Sequence, residues 1–145
     1  MGQGLLGHAL AGQPEPVKNL KVISAGVAAR PGELASENSV LALKRVGIDI
    51  AEHRATPLTQ QMLDEAMAVF VMTDAHRAMI EVQAAPVPKH LYLFREFMPQ
   101  GVRKEIADPF GNSLKLYEAA RDEMVEAIPS LVDFLKTLLP KPVAK

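Results

Sequence analysis

Asp108 is the acidic residue whose setting is best suited to chemistry. It lies in the turn-rich segment 105–112 (EIADPFGN), which follows a predicted strand. A residue before proline favours an extended backbone, and ligands of open parallel sheets bind at the carboxyl edge of the strands. A carboxyl group at that edge could act as a general acid or base, whereas the same Asp-Pro-Phe-Gly sequence could also form a plain turn.

Other residue types that support catalysis or metal binding are absent or unfavourably spaced. The chain has no cysteine, which excludes disulfides, thiolate metal sites and a cysteine nucleophile. Its four histidines, at positions 8, 53, 76 and 90, include no pair at the i, i+4 spacing that places two imidazoles on one helix face. Gly2 and Gly4 have no third glycine in register and do not form a phosphate loop. We therefore expect no metal and no cofactor.

Length and charge limit the classes of partner. With 145 residues and 48% hydrophobic residues, the chain fits a single globular domain, which we place at residues 1–139, followed by a polar tail at 140–145. A net charge of −1 gives no field that would attract nucleic acid or anionic lipid. Apolar runs such as 66–72 are much shorter than the roughly 20 residues of a membrane span. The first eight residues lack the features of a secretory signal, so we expect a cytoplasmic protein.

The apolar pattern predicts an α/β fold. Continuous or alternating apolar runs indicate strands at 20–26, 68–73 and 91–94, and helical spacing with capping residues indicates helices at 5–10, 36–47, 59–66, 74–82 and 113–139. We expect Asp74 to cap the fourth helix and Pro129 to kink the fifth. Strands joined by helices form a parallel sheet with right-handed crossovers. Because the first predicted element is a helix, the opening strand of the sheet is expected to be missing.

From Leu5 to about Leu135 the chain resembles the low-molecular-weight protein tyrosine phosphatase family, which includes tyrosine and arginine phosphatases. The resemblance rests on five segments that occur in the family's order and spacing: VISAG (22–26), ALKRVGIDI with HRA (42–50 and 53–55), LT (58–59), VFVMT (69–73) and DPFG (108–111). It implies a small doubly wound parallel sheet with helices on both faces, and hydrolysis of phosphorylated proteins through a cysteinyl-phosphate.

The resemblance also implies roles for individual residues. Asp108 matches the general acid, and Phe110 matches an aromatic residue of the substrate cleft. Arg30 lies where the family has another aromatic cleft residue. Ser24 and His53 match residues that support the phosphate loop through hydrogen bonds.

The family's nucleophile lies outside the matched segments. In the family a central first strand leads into a loop of the form C-x-G-N-x-C-R-S-P-M-A-E, and Met1-Gly2-Gln3 corresponds only to the end of that loop. The strand, the cysteine and the phosphate-binding arginine are therefore expected to be missing. Gly2, Gln3 and Gly7 also depart from the family's usual Ala, Glu and Arg.

The missing strand would lie between the predicted strands at 20–26 and 68–73. Unpaired buried backbone groups each cost about 1–3 kcal/mol, so these two strands are expected to pair with each other, to associate with a second molecule or to misfold. Self-association through the unpaired strand edges is one of these outcomes.

Two functional hypotheses follow. In the first, the chain is an incomplete version of an active phosphatase that acts on phosphotyrosine or phosphoarginine in proteins. In the second, it is a non-catalytic binding or regulatory relative. Both predict that these 145 residues cannot form a cysteinyl-phosphate, because they contain no thiol.

Overall fold

The computed structural model describes residues 1–25, 36–53, 56–107, 109 and 112–139. In chain order the helices are α1 (Gly2–Ala11), α2 (Glu37–Lys44), α3 (Gln60–Glu65), α4 (Asp74–Gln83) and α5 (Leu114–Leu138), with a short 3-10 turn at Val17–Asn19. The strands are β1 (Val69–Val71) and β2 (Leu91–Leu93). This is the α/β arrangement that the apolar pattern predicts.

The two strands form a parallel pair with helices on both faces. Val69, Phe70 and Val71 pair with Leu91, Tyr92 and Leu93 respectively. Because successive side chains of a strand point to opposite faces, each strand contributes to two cores. Val71 and Leu93 pack with α3 and α4 on one face, whereas Phe70 packs against a larger core on the other.

The larger core lies between α1, α2 and α5. Its buried residues include Leu6 and Leu10 of α1, Leu43 of α2 and Leu131 of α5. Gly4 permits the close approach of α1, because a Cβ atom at this position would lie 2.9 Å from Ile50 Cγ2 and 3.0 Å from Leu43 Cδ1. This core fixes the first turn of α1 relative to the loop that follows α2.

Side-chain caps define three helix starts. The Ser36 hydroxyl accepts a hydrogen bond from the Ser39 amide, and the Thr59 hydroxyl accepts one from the Met62 amide. The prediction that Asp74 caps α4 is wrong. Thr73 is the cap, since its hydroxyl accepts from the His76 amide, and Asp74 instead lies in the first turn, where a carboxylate favours the helix dipole.

The predicted strand at 20–26 is not a strand in the described residues 20–25, and Gly26 lies outside them. Burial alternates along this segment as in a strand, with Val22 and Ser24 half-buried and Ile23 exposed. Among the described residues, however, the backbone of 21–25 has no backbone hydrogen-bond partner. A strand is defined by pairing, and pairing with β1, one of the three expected outcomes, is absent between the described residues of the two segments.

The longest helix continues through a proline. α5 extends over 25 residues with Pro129 inside it, and the expected kink stays a prediction. Within the described ranges, no helix is both long and apolar enough to cross a membrane.

Candidate active site

Ser24, Gln3 and His53 form a hydrogen-bonded cluster. The Ser24 Oγ lies 2.7 Å from Gln3 Oε1 and 3.2 Å from His53 Nε2. All three side chains are half-buried. The structure therefore brings together Ser24 and His53, which are 29 residues apart and which the resemblance assigned to one supporting role.

The hydrogen bond between Ser24 and Gln3 has a defined direction. A serine hydroxyl carries one proton, and Ser24 donates it to the carbonyl oxygen of Gln3. The Ser24 oxygen can then accept a hydrogen bond from His53 in the tautomer that carries a proton on Nε2. In that tautomer the cluster is a directed chain from His53 through Ser24 to Gln3.

The first turn of α1 is the meeting point of the elements around this cluster. Gln3 contacts Ser24 near the carboxyl end of segment 20–25. Next to it, a Cβ atom on Gly2 would lie 3.1 Å from the side chain of Met72, which follows β1 directly. Segment 20–25 and β1 therefore both end at the first turn of α1. The unpaired N–H groups of a first helical turn favour anions.

A cavity of about 390 Å³ lies beside the cluster. Gln3 and His53 line it, together with Val22, Gly7 and the loop after α2. A Cβ atom on Gly7 would meet no atom within 4 Å, so the absence of a side chain at Gly7 leaves this space open. Asp49 and Glu52 also line the cavity, and Asp49 accepts a 2.9 Å hydrogen bond from the Ala51 amide.

The three other predicted site residues, Asp108, Phe110 and Arg30, lie outside the described residues. The chain on both sides of the Asp108 segment is nevertheless anchored. Before it, the amide of Ile106 donates a 2.9 Å hydrogen bond to the carbonyl of Met72. After it, the carbonyl of Asn112 accepts a 3.1 Å hydrogen bond from the Asn38 side chain.

Glu105 adds an anchor at the amino-terminal side of the segment. Its carboxylate accepts a 2.8 Å hydrogen bond from the Asp74 amide at the start of α4. Ile106 is only 1% exposed, so the chain is held in the core two residues before Asp108. These contacts connect the segment to the carboxyl end of β1.

Burial affects the charge of the α-amino group at the start of α1. Burial lowers the pKa of the Met1 α-amino group, because the charged form loses hydration. In the part of the chain that the structure describes, no group of three or more His, Asp or Glu side chains is placed to hold a metal ion.

Sequence reasoning missed Gln3, Asn38 and Glu105 as contributors. It treated Gln3 only as a departure from the family's glutamate and gave no role to the other two. A signal existed only for Gln3, which corresponds to the last residue of the family's phosphate loop. Asn38 and Glu105 act over separations of 74 and 31 residues, which no local pattern indicates.

Comparison with known proteins extends these observations to a family. Residues 10–141 match the family model for low molecular weight phosphotyrosine protein phosphatase. A protein-arginine-phosphatase of Geobacillus stearothermophilus is 36% identical over 118 residues, covering 81% of this chain and 78% of the relative. A probable low molecular weight protein-tyrosine-phosphatase, EpsP, of Ralstonia nicotianae is 31% identical over 138 residues, covering 95% of this chain and 88% of the relative.

A solved structure shows the same fold. It is a cysteine-to-serine mutant of the arginine phosphatase YwlE with a phosphorylated active-site serine, 30% identical to this chain. The superposition has a TM-score of 0.82 and covers 95% of this chain and 90% of that chain. The fold predicted from the resemblance is confirmed, and the chain belongs to the low molecular weight phosphotyrosine protein phosphatase family.

Proposed function

We propose that this chain supplies the acid-bearing segment and the loop-supporting cluster of a protein phosphatase active site. The observation that carries the proposal is the cluster of Ser24, Gln3 and His53 at the first turn of α1. In this family the phosphate loop immediately precedes that helix, so the cluster lies where it would support the loop. The substrate class is phosphorylated protein, since the relatives are named protein-arginine and protein-tyrosine phosphatases.

We propose the following roles, taken from the resemblance. Asp108 is the general acid that protonates the leaving oxygen or nitrogen of the substrate. Phe110 and Arg30 line the substrate cleft. Ser24 and His53 hold the phosphate loop through hydrogen bonds and take no part in bond making. The anchors at Ile106 and Asn112 support this assignment, because they hold the chain on both sides of Asp108.

The proposed chemistry requires a nucleophile that these 145 residues do not contain. Phosphoryl transfer forms a sulfur–phosphorus bond as the bond from phosphorus to the leaving group breaks, and Asp108 gives its proton to the leaving group. Without a thiol, the first bond cannot form, and the chain contains no cysteine. The 145-residue polypeptide is therefore inactive by itself.

Assays of phosphatase activity test this proposal. The purified chain and its Asp108→Ala variant are prepared identically and assayed with p-nitrophenyl phosphate, a phosphotyrosine peptide and a phosphoarginine peptide. We expect neither protein to release phosphate above the buffer rate. Activity of the parent chain that is lost in the Asp108→Ala variant would show that the chain turns over without a cysteine and would overturn the proposal.

A non-catalytic binding role is the second candidate. One observation favours it: the cluster satisfies its hydrogen bonds without a phosphate loop. Ser24 is hydrogen-bonded to both Gln3 and His53. In the described ranges, no buried side-chain nitrogen or oxygen lacks a partner. Calorimetric titration with phosphorylated and unphosphorylated forms of one tyrosine peptide distinguishes the two candidates. Selective binding of the phosphorylated form without turnover would favour the binding role.

Three further predictions concern the domain bounds, the cellular location and self-association. We propose that residues 1–139 form one domain and that 140–145, which lie outside the described residues, form a tail; the family match over 10–141 supports this. The cytoplasmic location stays a prediction. Self-association through the unpaired strand edges also stays a prediction, which sedimentation velocity can test.

A further inference from the structure

A second cavity, of about 300 Å³, lies at the other end of the sheet from the start of α1. One wall comes from α3 and the residues after it, and the other wall from residues 86–90. Met67 precedes β1 and His90 precedes β2, so the cavity lies at the amino ends of both strands. Met72, which approaches Gly2 of α1, lies instead at the carboxyl end of β1. The cavity is therefore separate from the candidate active site.

Gln60 holds the two walls of this cavity together. Its side-chain nitrogen donates to the Asp64 carboxylate of the first wall at 2.9 Å and to the Pro86 carbonyl of the second at 3.1 Å. Its side-chain oxygen accepts a 3.0 Å hydrogen bond from the Ala85 amide. Because these contacts are present without a ligand, binding requires little reordering of the walls.

The lining suits an apolar group better than a phosphate. Leu63 and Met67 of the first wall contribute apolar side chains, and Pro86 and Pro88 contribute two proline rings. Proline has no N–H group, so the backbone of the second wall offers few donors. A phosphate group presents three strong acceptor oxygens and more than one negative charge, which this lining would leave largely unmatched.

The His90 ring is held in place by two aromatic neighbours. Its Nδ1 atom lies 3.0 Å from the Tyr92 hydroxyl, and its ring centre lies 6.0 Å from that of Phe134. In the tautomer with the proton on Nε2, Tyr92 donates to Nδ1 and Nε2 is a donor. Among the described residues, Nε2 has no hydrogen-bond partner. His90 can therefore offer one N–H group to a ligand.

Lys89 carries the unpaired charge of the cavity. The Asp64 carboxylate already accepts a hydrogen bond from Gln60. The Lys89 ammonium, in contrast, has neither an ion-pair nor a hydrogen-bond partner within the described ranges. One unpaired cation beside one N–H donor is complementary to a ligand with a single negative charge.

We propose that this cavity binds a small monocarboxylic acid with an apolar body. The Lys89 ammonium and the His90 Nε2–H group bind the carboxylate, and the apolar body packs against Leu63, Met67 and the proline rings. A volume of about 300 Å³ lies at the lower end of the range of small-molecule sites, so the ligand is small. We expect a Kd of about 1 mM for such a ligand. The inference does not depend on the proposed phosphatase function.

Three probes that share one phenyl group test the charge of the ligand. They are phenylacetate, its neutral amide phenylacetamide, and the cation phenethylamine. Each is titrated into the isotope-labelled, intact 145-residue chain and followed by the NMR shifts of backbone amides. We expect phenylacetate to saturate with a Kd of about 1 mM and the other two probes to bind at least about tenfold more weakly. Absence of saturable shifts with phenylacetate, or binding of phenethylamine as tight as that of phenylacetate, would overturn the proposal.

The positions of the shifted amides locate the bound probe. We expect the largest shifts at Met67, Lys89 and His90. Shifts confined to Gln3 and His53 would place phenylacetate in the cavity beside α1 and contradict the proposal. Inorganic phosphate is titrated as the control anion, and phosphate binding as tight as that of phenylacetate would show that the site does not select a carboxylate.

A pair of lysine variants tests the role of Lys89. Lys89→Met removes the ammonium and keeps the aliphatic part of an exposed side chain, so the fold should be unaffected. We expect the Kd of phenylacetate to rise at least about tenfold, while that of phenylacetamide stays the same. Lys115→Met is the matched control, because Lys115 is exposed in the first turn of α5, at the other end of that helix from Phe134. Equal losses in the two variants would indicate a general effect of net charge and would overturn the proposal.

Discussion

The hydroxyl of Ser24 donates a 2.7 Å hydrogen bond to the side-chain oxygen of Gln3, which joins the end of segment 20–25 to the first turn of α1. The same hydroxyl lies 3.2 Å from His53 Nε2, so one serine connects three parts of the chain. A glutamine at position 3 is uncharged, whereas the family usually has a glutamate there. The cluster therefore needs no charged group to satisfy its hydrogen bonds.

Replacing Ser24 by alanine should destabilise the fold. The change removes both hydrogen bonds and leaves the half-buried Gln3 and His53 side chains without these partners. Because water can partly replace the lost bonds, we expect the free energy of unfolding to fall by about 1–2 kcal/mol. Urea denaturation followed by circular dichroism measures this difference.

Ser130→Ala is the matched control. The Ser130 hydroxyl donates only to the Ala127 carbonyl within α5, which is a local bond of one helix. We expect this variant to change the free energy of unfolding by less than about 0.5 kcal/mol, because it breaks no contact between elements. Equal losses in the two variants would show that the Ser24 cluster does not couple segment 20–25 to α1.

Two glycines of α1 should respond to alanine in opposite directions. A Cβ atom on Gly4 would lie 2.9 Å from Ile50 and 3.0 Å from the fully buried Leu43, so Gly4→Ala should cost about 1–3 kcal/mol through overpacking. A Cβ atom on Gly7 would meet nothing within 4 Å. Gly7→Ala should therefore stabilise the helix by about 0.5–1 kcal/mol, since alanine loses less backbone entropy.

Thermal unfolding of the two variants checks this pair. The melting temperature should fall for Gly4→Ala and rise for Gly7→Ala. A double variant should show the sum of the two effects if both substitutions act independently. A decrease with Gly7→Ala would mean that the cavity beside Gly7 is closed in solution.

Local sequence signals predicted the helices well, because a helix start depends on a capping residue and an amide only three residues later. Ser36 and Thr59 are caps in the structure, as their position before an apolar run indicates. The predicted helix at 36–47 is too long at its end, where Val46 is 44% exposed. The reason is that α2 ends at Lys44 and Gly47 turns the chain with φ +82°.

Pairing between distant residues could not be read from the sequence alone. The apolar run at 20–26 predicts a buried strand, whereas in the described residues 20–25 burial alternates and the backbone is unpaired, because pairing depends on a neighbour elsewhere in the sheet. The family resemblance gave Ser24 and His53 the same supporting role but did not predict the hydrogen bond between them. The contact with Gln3 was not predicted, although the place of Gln3 at the end of the family's loop was a signal for it.

Arg95 should be the most sensitive charged residue of the described fold. It is 4% exposed and donates to the carbonyls of Arg103 at 2.8 Å and Glu123 at 2.6 Å. Arg95→Met keeps the aliphatic volume but leaves these carbonyls without the donor. We expect the free energy of unfolding, measured in urea, to fall by about 2–4 kcal/mol.

Arg45→Met is the control for charge removal. The Arg45 side chain is 59% exposed and pairs with Glu118 at 2.6 Å on the surface. Surface ion pairs contribute about 0–1 kcal/mol, so the loss in this variant should be small. If Arg95→Met costs no more than Arg45→Met, the buried guanidinium does not connect the 95–103 loop to α5.

The buried α-amino group of Met1 should make stability depend on pH. Burial lowers its pKa from 8.0 in the folded state, whereas the unfolded chain keeps the value of 8.0. Between the lowered pKa and 8.0, the unfolded chain binds more protons than the folded one. The contribution of this group to stability is therefore complete above 8.0 and is lost as the pH falls through the folded pKa.

Acetylation of the Met1 amine isolates this effect from the other titrating groups. The free energy of unfolding is measured in urea at pH values on both sides of 8.0, for the acetylated and the unmodified chain, with retention of Met1 verified by mass spectrometry. We expect the acetylated chain to be the more stable one below 8.0, with the difference shrinking as the pH rises, because acetylation removes the charge that burial disfavours. A difference that stays constant with pH would mean that the amine is hydrated in the folded state, and the start of α1 would then be open to solvent.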